Sequence, residues 1–163
     1  PVQDASWMDL GCESCDGECR YESIEVSGTT HVDGGLVYTD LPPVGGDHDP
    51  CWAPWGVYEA EIGDEHWVHN MEHGGVVFLY NCPEDCEAEV EEMTAFVDDH
   101  WGTSLLAPYA LMDSTFAVAA WGVRYVSDCF ELEAAATFYE AHVDQGPEST
   151  SSMPPEGCMD GER

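Results

Sequence analysis

Eight cysteines are spread over the whole chain of 163 residues, and any fold for this sequence has to accommodate them. An even number at such wide spacing is typical of a disulfide framework of up to four bonds, for which about a hundred pairings are open. The alternative is metal binding, because Cys12, Cys15 and Cys19 are close enough in sequence to hold zinc with a fourth ligand from elsewhere. We predict disulfides, and with them a location outside the cytoplasm: secreted, periplasmic or lipid-anchored.

Charge is the second constraint, since 34 Asp and Glu face only 3 basic residues, all Arg, for a formal net charge of −31. A phosphate backbone demands clustered Lys and Arg, so nucleic-acid binding is excluded, and docking on anionic lipid fails for the same reason. We interpret the carboxylates as a solvated surface suited to high ionic strength. The longest apolar run, residues 116–123, is too short to span a bilayer, so we expect no membrane insertion of the mature chain.

Apolar periodicity predicts a set of short strands and two longer amphipathic helices. A continuous apolar run at 75–80 indicates a central strand that is buried on both faces. Residues 40–56 contain four Pro and three Gly together with two Trp and a His, so we expect a long irregular loop, either a site or an ordinary surface loop. The predicted strands are 21–26, 36–38, 75–80, 105–112 and 116–123, and the predicted helices are 83–100 and 130–142.

This order predicts an α+β fold of one domain, with a mixed or antiparallel sheet covered on one face by the two main helices and stapled by disulfides. We place a Cys-rich acidic leader at 1–20, the domain at 21–145 and an irregular tail at 146–163. The chain starts without Met, which is consistent with the removal of a leader.

Histidines supply the candidate chemistry, because three of the seven fall within residues 66–73. His69 and His73 share one face whether the segment is a short helix, capped at Gly63-Asp64 and ended by two glycines, or an extended strand. With His48 from the irregular loop they make a three-imidazole metal site. Met71 would add a soft ligand and favour copper over zinc, although a Met at this position is also typical of core packing.

The segment His69-Asn70-Met71-Glu72-His73 also matches H-x-x-E-H, in which a Glu acts as general base on zinc-bound water. The buried strand that follows leaves little room for the longer helix of that motif. The alternative to metal binding is a structural role, in which the histidines form hydrogen bonds with backbone and carboxylates beneath a strand end.

Three blocks of sequence resemble a known bacterial family. They are Leu41-Pro42-Pro43-Val44-Gly45-Gly46-Asp47-His48, Trp55-Gly56-Val57-Tyr58, and Val68-His69-Asn70-Met71-Glu72-His73-Gly74-Gly75-Val76-Val77, with a shorter match at Ala120-Trp121-Gly122. They are similar to the family named domain of unknown function 3105, over about residues 38–148. The resemblance implies an exported or membrane-anchored bacterial protein and carries over His48, His69, Glu72 and His73. Met71 stands where the family usually has Leu, and Asp47 where it usually has Pro.

Three hypotheses follow. The first is an exported metal-binding protein, with copper as the cofactor and His48, His69 and His73 as ligands, and with Glu72 orienting an imidazole or binding directly. The second is a hydrolase that uses zinc-bound water, with Glu72 as the base. The third is a non-catalytic interaction module whose Trp-rich loop meets a protein or glycan partner that the sequence does not identify.

Overall fold

The structure is a computed structural model that describes residues 12–152, 154, 157 and 158. Its centre is a mixed sheet of six strands in the order β1-β6-β5-β3-β4-β2. Strand β3 runs parallel to β4, and β2 runs parallel to the other side of β4, whereas the remaining pairs are antiparallel. The strands are β1 Cys19–Ser23, β2 Gly56–Val57, β3 Val76–Tyr80, β4 Ser104–Pro108, β5 Phe116–Ala120 and β6 Val123–Ser127. The α+β class and the mixed sheet predicted from the sequence are confirmed.

Three helices pack on this sheet, α1 Asp64–Glu72, α2 Glu87–Asp99 and α3 Leu132–His142, and a short 3-10 helix follows at Thr150–Ser152. Side chains alternate along each strand, so successive residues of β3 enter two separate apolar cores. Phe78 packs on one face with residues of α2 and α3, whereas Val77 packs on the other face with α1 and the 40–58 loop. The two main helices therefore share one face, as predicted, and the short helix and the loop cover the opposite face.

The strand predicted at 36–38 is wrong, because that segment forms no ladder and its Val37 is 85% exposed. The strand predicted at 116–123 ends at Ala120 as β5, because a turn follows in which Gly122 adopts a positive φ of 77°. Strand β6 was not predicted, since only its first residue, Val123, lies within that run. Helix α2 begins at Glu87 rather than at residue 83, after Asp85 adopts a positive φ of 63°. Two residues of strand β2 continue directly from the irregular loop.

All eight cysteines are paired, in the disulfides Cys12–Cys19, Cys15–Cys129, Cys51–Cys158 and Cys82–Cys86. The zinc interpretation of the first three cysteines is therefore wrong. Four disulfides suggest an oxidising, extracytoplasmic environment. Among the described residues, no helix has both the length and the apolar character needed to cross a bilayer.

Candidate metal centre

Helix α1 carries His69 and Glu72 of the candidate site, and its end is fixed by close packing. The helix ends at Glu72, and His73 caps it. Gly74 follows with a positive φ of 87°, a conformation that favours glycine. A Cβ on Gly75 would overlap the ring of Trp55, so only glycine lets the irregular loop pack on this turn. The pair of glycines therefore sets how the last turn of α1 meets the loop.

Asn70 holds the irregular loop against α1. Its amide accepts a hydrogen bond from Ala53 N at 2.9 Å and donates one to Ala53 O at 2.9 Å, and all of these atoms are buried. One turn earlier, His66 Nδ1 lies 2.6 Å from Cys51 O. These contacts place residues 48–53 along the helix, in reach of His69.

His31 reaches the site through a backbone bridge to His48. Val32 N donates to His48 O at 2.9 Å, and His48 N donates to Thr30 O at 3.1 Å. The Asp47 carboxylate accepts a further hydrogen bond from Thr30 N at 2.9 Å. A segment without regular structure thus lies beside the loop, and the two imidazole rings are 4.9 Å apart.

Four side chains converge on one point: His31, His48, His69 and Glu72 each offer a donor atom, and these atoms all lie within 4.8 Å of one another. Glu72 Oε2 is 3.0 Å from His48 Nε2 and 3.8 Å from His31 Nε2. His48, His69 and Glu72 are buried, whereas the His31 side chain is 51% exposed and forms the solvent side of the group. Such a His/Glu group could hold a metal ion.

The tautomers of two of these histidines follow from their partners. His48 Nδ1 lies 2.8 Å from Gly46 O, and His69 Nδ1 lies 2.8 Å from Asp49 O. A carbonyl oxygen only accepts, so each Nδ1 carries a proton and donates. In a neutral imidazole this leaves the Nε2 lone pair available, and a carbonyl on the other nitrogen is the usual orientation of a metal-binding histidine.

His48 Nε2 is a buried polar atom that makes no hydrogen bond within the described part of the chain, although it faces Glu72. Leaving such an atom unpaired costs about 1–3 kcal/mol, so its position requires an explanation. A bound cation between His48 Nε2 and Glu72 Oε2 supplies one.

Burial lowers the pKa of His69, the hydrogen bond to Asp49 O opposes this, and the nearby imidazoles of His48, His73 and His31 add to the lowering, so that the pKa is about 4. His69 is therefore neutral at pH 7 and keeps its Nε2 lone pair. A neutral imidazole is the form that binds metal ions.

His73 lies at the edge of this group. Its Nε2 is 3.2 Å from His69 Nε2 and 3.3 Å from Glu148 Oε2, and its Nδ1 is 3.4 Å from Ser149 O. Glu72, His73 and Glu148 form a second set whose donor atoms lie within 4.8 Å of one another. Two nitrogens bound to one tetrahedral metal ion are about 3.3 Å apart, close to the His69–His73 separation.

The structure thus brings together His48, His69, Glu72 and His73, four of the five residues that the sequence singled out. The fifth, Met71, is fully buried in the apolar core on the sheet side of α1. Sequence reasoning missed His31 and Glu148, which come from outside the His-rich segment. Neither residue lies in a sequence pattern that points to a metal site. The backbone bridge to His48 places His31, and the hydrogen bond from Glu148 N to Glu72 O places Glu148.

Two tryptophans frame the imidazoles. The Trp52 ring lies 5.4 Å from the His69 ring and 6.4 Å from the His73 ring, and the Trp121 ring meets His48 edge-on at 6.2 Å. Trp52 Nε1 in turn donates to Pro154 O at 3.2 Å. The indoles limit the freedom of the imidazoles, and they place natural fluorophores beside the centre.

Comparison with known proteins gives one match. Searches of curated proteins and of solved structures returned no significant match. A family profile described as "Protein of unknown function (DUF3105)" matches residues 31–154, which is most of the chain and includes all six residues of the two metal-ligand groups. The chain therefore belongs to the DUF3105 family.

Proposed function

We propose that this protein is an exported metal-binding protein whose centre is formed by His31, His48, His69 and Glu72, with His73 beside it. One observation carries the proposal. His48 and His69 each donate Nδ1–H to a backbone carbonyl and so keep an Nε2 lone pair, and both residues offer a donor atom within 4.8 Å of the buried carboxylate of Glu72. Three imidazoles and one carboxylate make a donor set for a divalent transition metal.

Copper is the metal that we propose. Every cysteine is in a disulfide, so the donors are imidazole nitrogen and carboxylate oxygen without thiolate. For such sites Cu²⁺ binds more tightly than Zn²⁺ and the other divalent ions of the first transition row. The formal charge of −31 also raises the local concentration of cations around the protein.

Met71 is left out of the proposed ligand set, because its side chain packs with Trp67, Val68 and Val77 in the core. We expect Met71→Leu to leave the amount of bound copper unchanged, since the two side chains have similar volume. A loss of copper in that variant would return Met71 to the ligand set.

The experiment is metal analysis of protein purified without a His tag. The chain is stripped with a chelator, incubated separately with Cu(I), Cu(II) and Zn(II), desalted and analysed for retained metal. We expect tightly held Cu²⁺ in the wild type and its loss in His69→Asn. Asn retains an amide N–H near the Nδ1 position that can still donate to Asp49 O, but it has no Nε2.

His100→Asn is the matched control. His100 Nδ1 makes the same kind of bond, to Phe96 O at 2.7 Å, but His100 caps α2 and belongs to neither metal-ligand group. Equal copper in wild type and His69→Asn, or no retained metal in the wild type, would refute the proposal. The latter result would support the hypothesis of a hydrogen-bond network in an interaction module.

The zinc hydrolase hypothesis makes a different prediction for Glu72. A general base acts on bound water and is not a metal ligand, so Glu72→Gln should retain metal and lose turnover. Our proposal predicts weaker metal binding, because Glu72 Oε2 lies within the ligand group, 3.0 Å from His48 Nε2. The metal affinity of this one variant separates the two hypotheses.

A further inference from the structure

Glu72 belongs to two sets of donor atoms, and this shared carboxylate suggests more than one metal position. The first set contains His31, His48 and His69, and the second contains His73 and Glu148. The sets also touch through His69 and His73, whose Nε2 atoms are 3.2 Å apart. Paired metal ions in proteins lie about 3.5–4 Å apart and commonly share a ligand between them.

We propose that the centre is dinuclear, with a second divalent transition-metal ion bound by His73 and Glu148 and with Glu72 common to both ions. This inference rests on the proposed function, since it adds a second position beside the first. A single ion that also takes His73 is the competing arrangement, because the 3.2 Å between the His69 and His73 Nε2 atoms suits one tetrahedral ion. The second ion is favoured by Glu148, which lies 3.3 Å from His73 Nε2 and belongs only to the second set. The carboxylates of Glu72 and Glu148 would offset part of the repulsion between two divalent ions.

Glu148 is held at the site by a segment that we call the C-terminal strap, residues 144–150. Asp144 N donates to Gly74 O at 2.7 Å, and Glu148 N donates to Glu72 O at 2.9 Å. The strap is thereby hydrogen-bonded to the end of the helix that carries Glu72 and His73. Its position does not depend on the Glu148 side chain, which is 56% exposed.

The strap also approaches α1 too closely for any side chain at Gly146. A Cβ there would overlap the carbonyl oxygens of Met71 and Glu72 and the nitrogen of Gly74. Asp144 stabilises the same segment, because its carboxylate accepts hydrogen bonds from Thr150 N at 3.0 Å and from Ser149 Oγ at 3.1 Å. The backbone contacts therefore bring Glu148 to the one face of α1 where His73 and Glu72 lie.

The test is a Cu²⁺ titration of the metal-free full chain, read by metal content after desalting and by electron paramagnetic resonance. We expect about two ions per wild-type chain, and two Cu²⁺ ions about 4 Å apart would couple and lose most of the signal of isolated Cu²⁺. Glu148→Gln should hold about one ion and regain that signal. Its fold should survive, because the strap is fixed by backbone hydrogen bonds, and circular dichroism verifies this.

Glu92→Gln is the matched control, since it makes the same change of charge on an exposed residue of α2, across the sheet from α1. It should keep about two ions and the coupled signal. About one ion in the wild type would overturn the dinuclear centre and leave the mononuclear proposal standing. Two ions in both the wild type and Glu148→Gln would overturn the assignment of the second ion to His73 and Glu148. No ion in the wild type would overturn both.

Discussion

Acid should destabilise the metal-free protein through His69, and the size of the effect follows from the structure. The side chain is 3% exposed, and burial together with neighbouring imidazoles lowers its pKa from 6.5 to about 4. The unfolded chain therefore binds one more proton than the folded chain between those values. Stability is unaffected above about pH 6.5 and falls as the pH falls toward 4.

At 1.36 kcal/mol per pKa unit, this difference costs about 3 kcal/mol once the pH is below about 4. Between about pH 7 and 5.5 the expected loss is about 1 kcal/mol. The assay is urea unfolding in the presence of a chelator, with His69→Asn as the comparison. The variant has no titrating group at position 69, while the carboxylates and the other histidines are present in both proteins.

Over this pH range, the free energy of unfolding of the wild type should fall by about 1 kcal/mol more than that of His69→Asn. Parallel curves would refute the reasoning. A wild type that gains stability in acid relative to the variant would show that the Glu72 carboxylate outweighs burial and the other imidazoles.

Three further predictions concern the fold. Phe78→Ala, at a fully buried position of β3, should lower the free energy of urea unfolding by about 4 kcal/mol, whereas Val37→Ala at an exposed site should change it by less than about 0.5 kcal/mol; equal effects would contradict the assigned core. Arg124→Met should cost about 2 kcal/mol in the same assay, because the buried guanidinium bonds Glu22, Asp40 and the Pro42 carbonyl; unchanged stability would argue against these bonds. Raising the ionic strength from about 0.01 M to 1 M should raise the thermal midpoint, since salt screens the self-repulsion of a chain of charge −31; a lower midpoint would refute this.

Elements with strong local signals were predictable from the sequence. Strand β3 is an uninterrupted apolar run that both cores require, and α1 lies between the predicted start at Gly63 and the glycines that end it. In these cases the residues that form the element also determine which of its faces is buried. A short window of sequence is therefore enough to predict the helix or strand.

Elements that depend on distant partners were not predictable in the same way. Strand β6 was not predicted, because it includes Arg124 and is defined by its pairing with β1 and β5 rather than by an apolar run. The strand predicted for β5 was instead extended through the Trp121-Gly122 turn to Val123. The segment at 36–38 has the composition of a strand, but no neighbouring strand pairs with it. Instead, the Tyr38 hydroxyl donates to Asp47 O at 2.7 Å in the irregular loop.

The candidate centre shows the same division. Residues on α1 were predictable because a helical turn places His69 and His73 on one face in any context. His31 lies in a segment without periodicity and reaches the site because its neighbours Thr30 and Val32 form backbone hydrogen bonds with His48. Glu148 depends on a strap that a glycine allows to touch the helix end. Both were missed because the contacts that position them join distant parts of the chain.

The H-x-x-E-H segment here forms the last turn of the short helix α1 together with its cap, His73. Asn70 fastens the loop that contains His48, and Gly74 and Gly75 let the strap and Trp55 approach the last turn. Most of this segment thus serves to bring distant parts of the chain to one carboxylate, Glu72. Since those parts meet only in the folded protein, metal binding should stabilise the fold, by about 2.7 kcal/mol at a free metal concentration 100 times Kd.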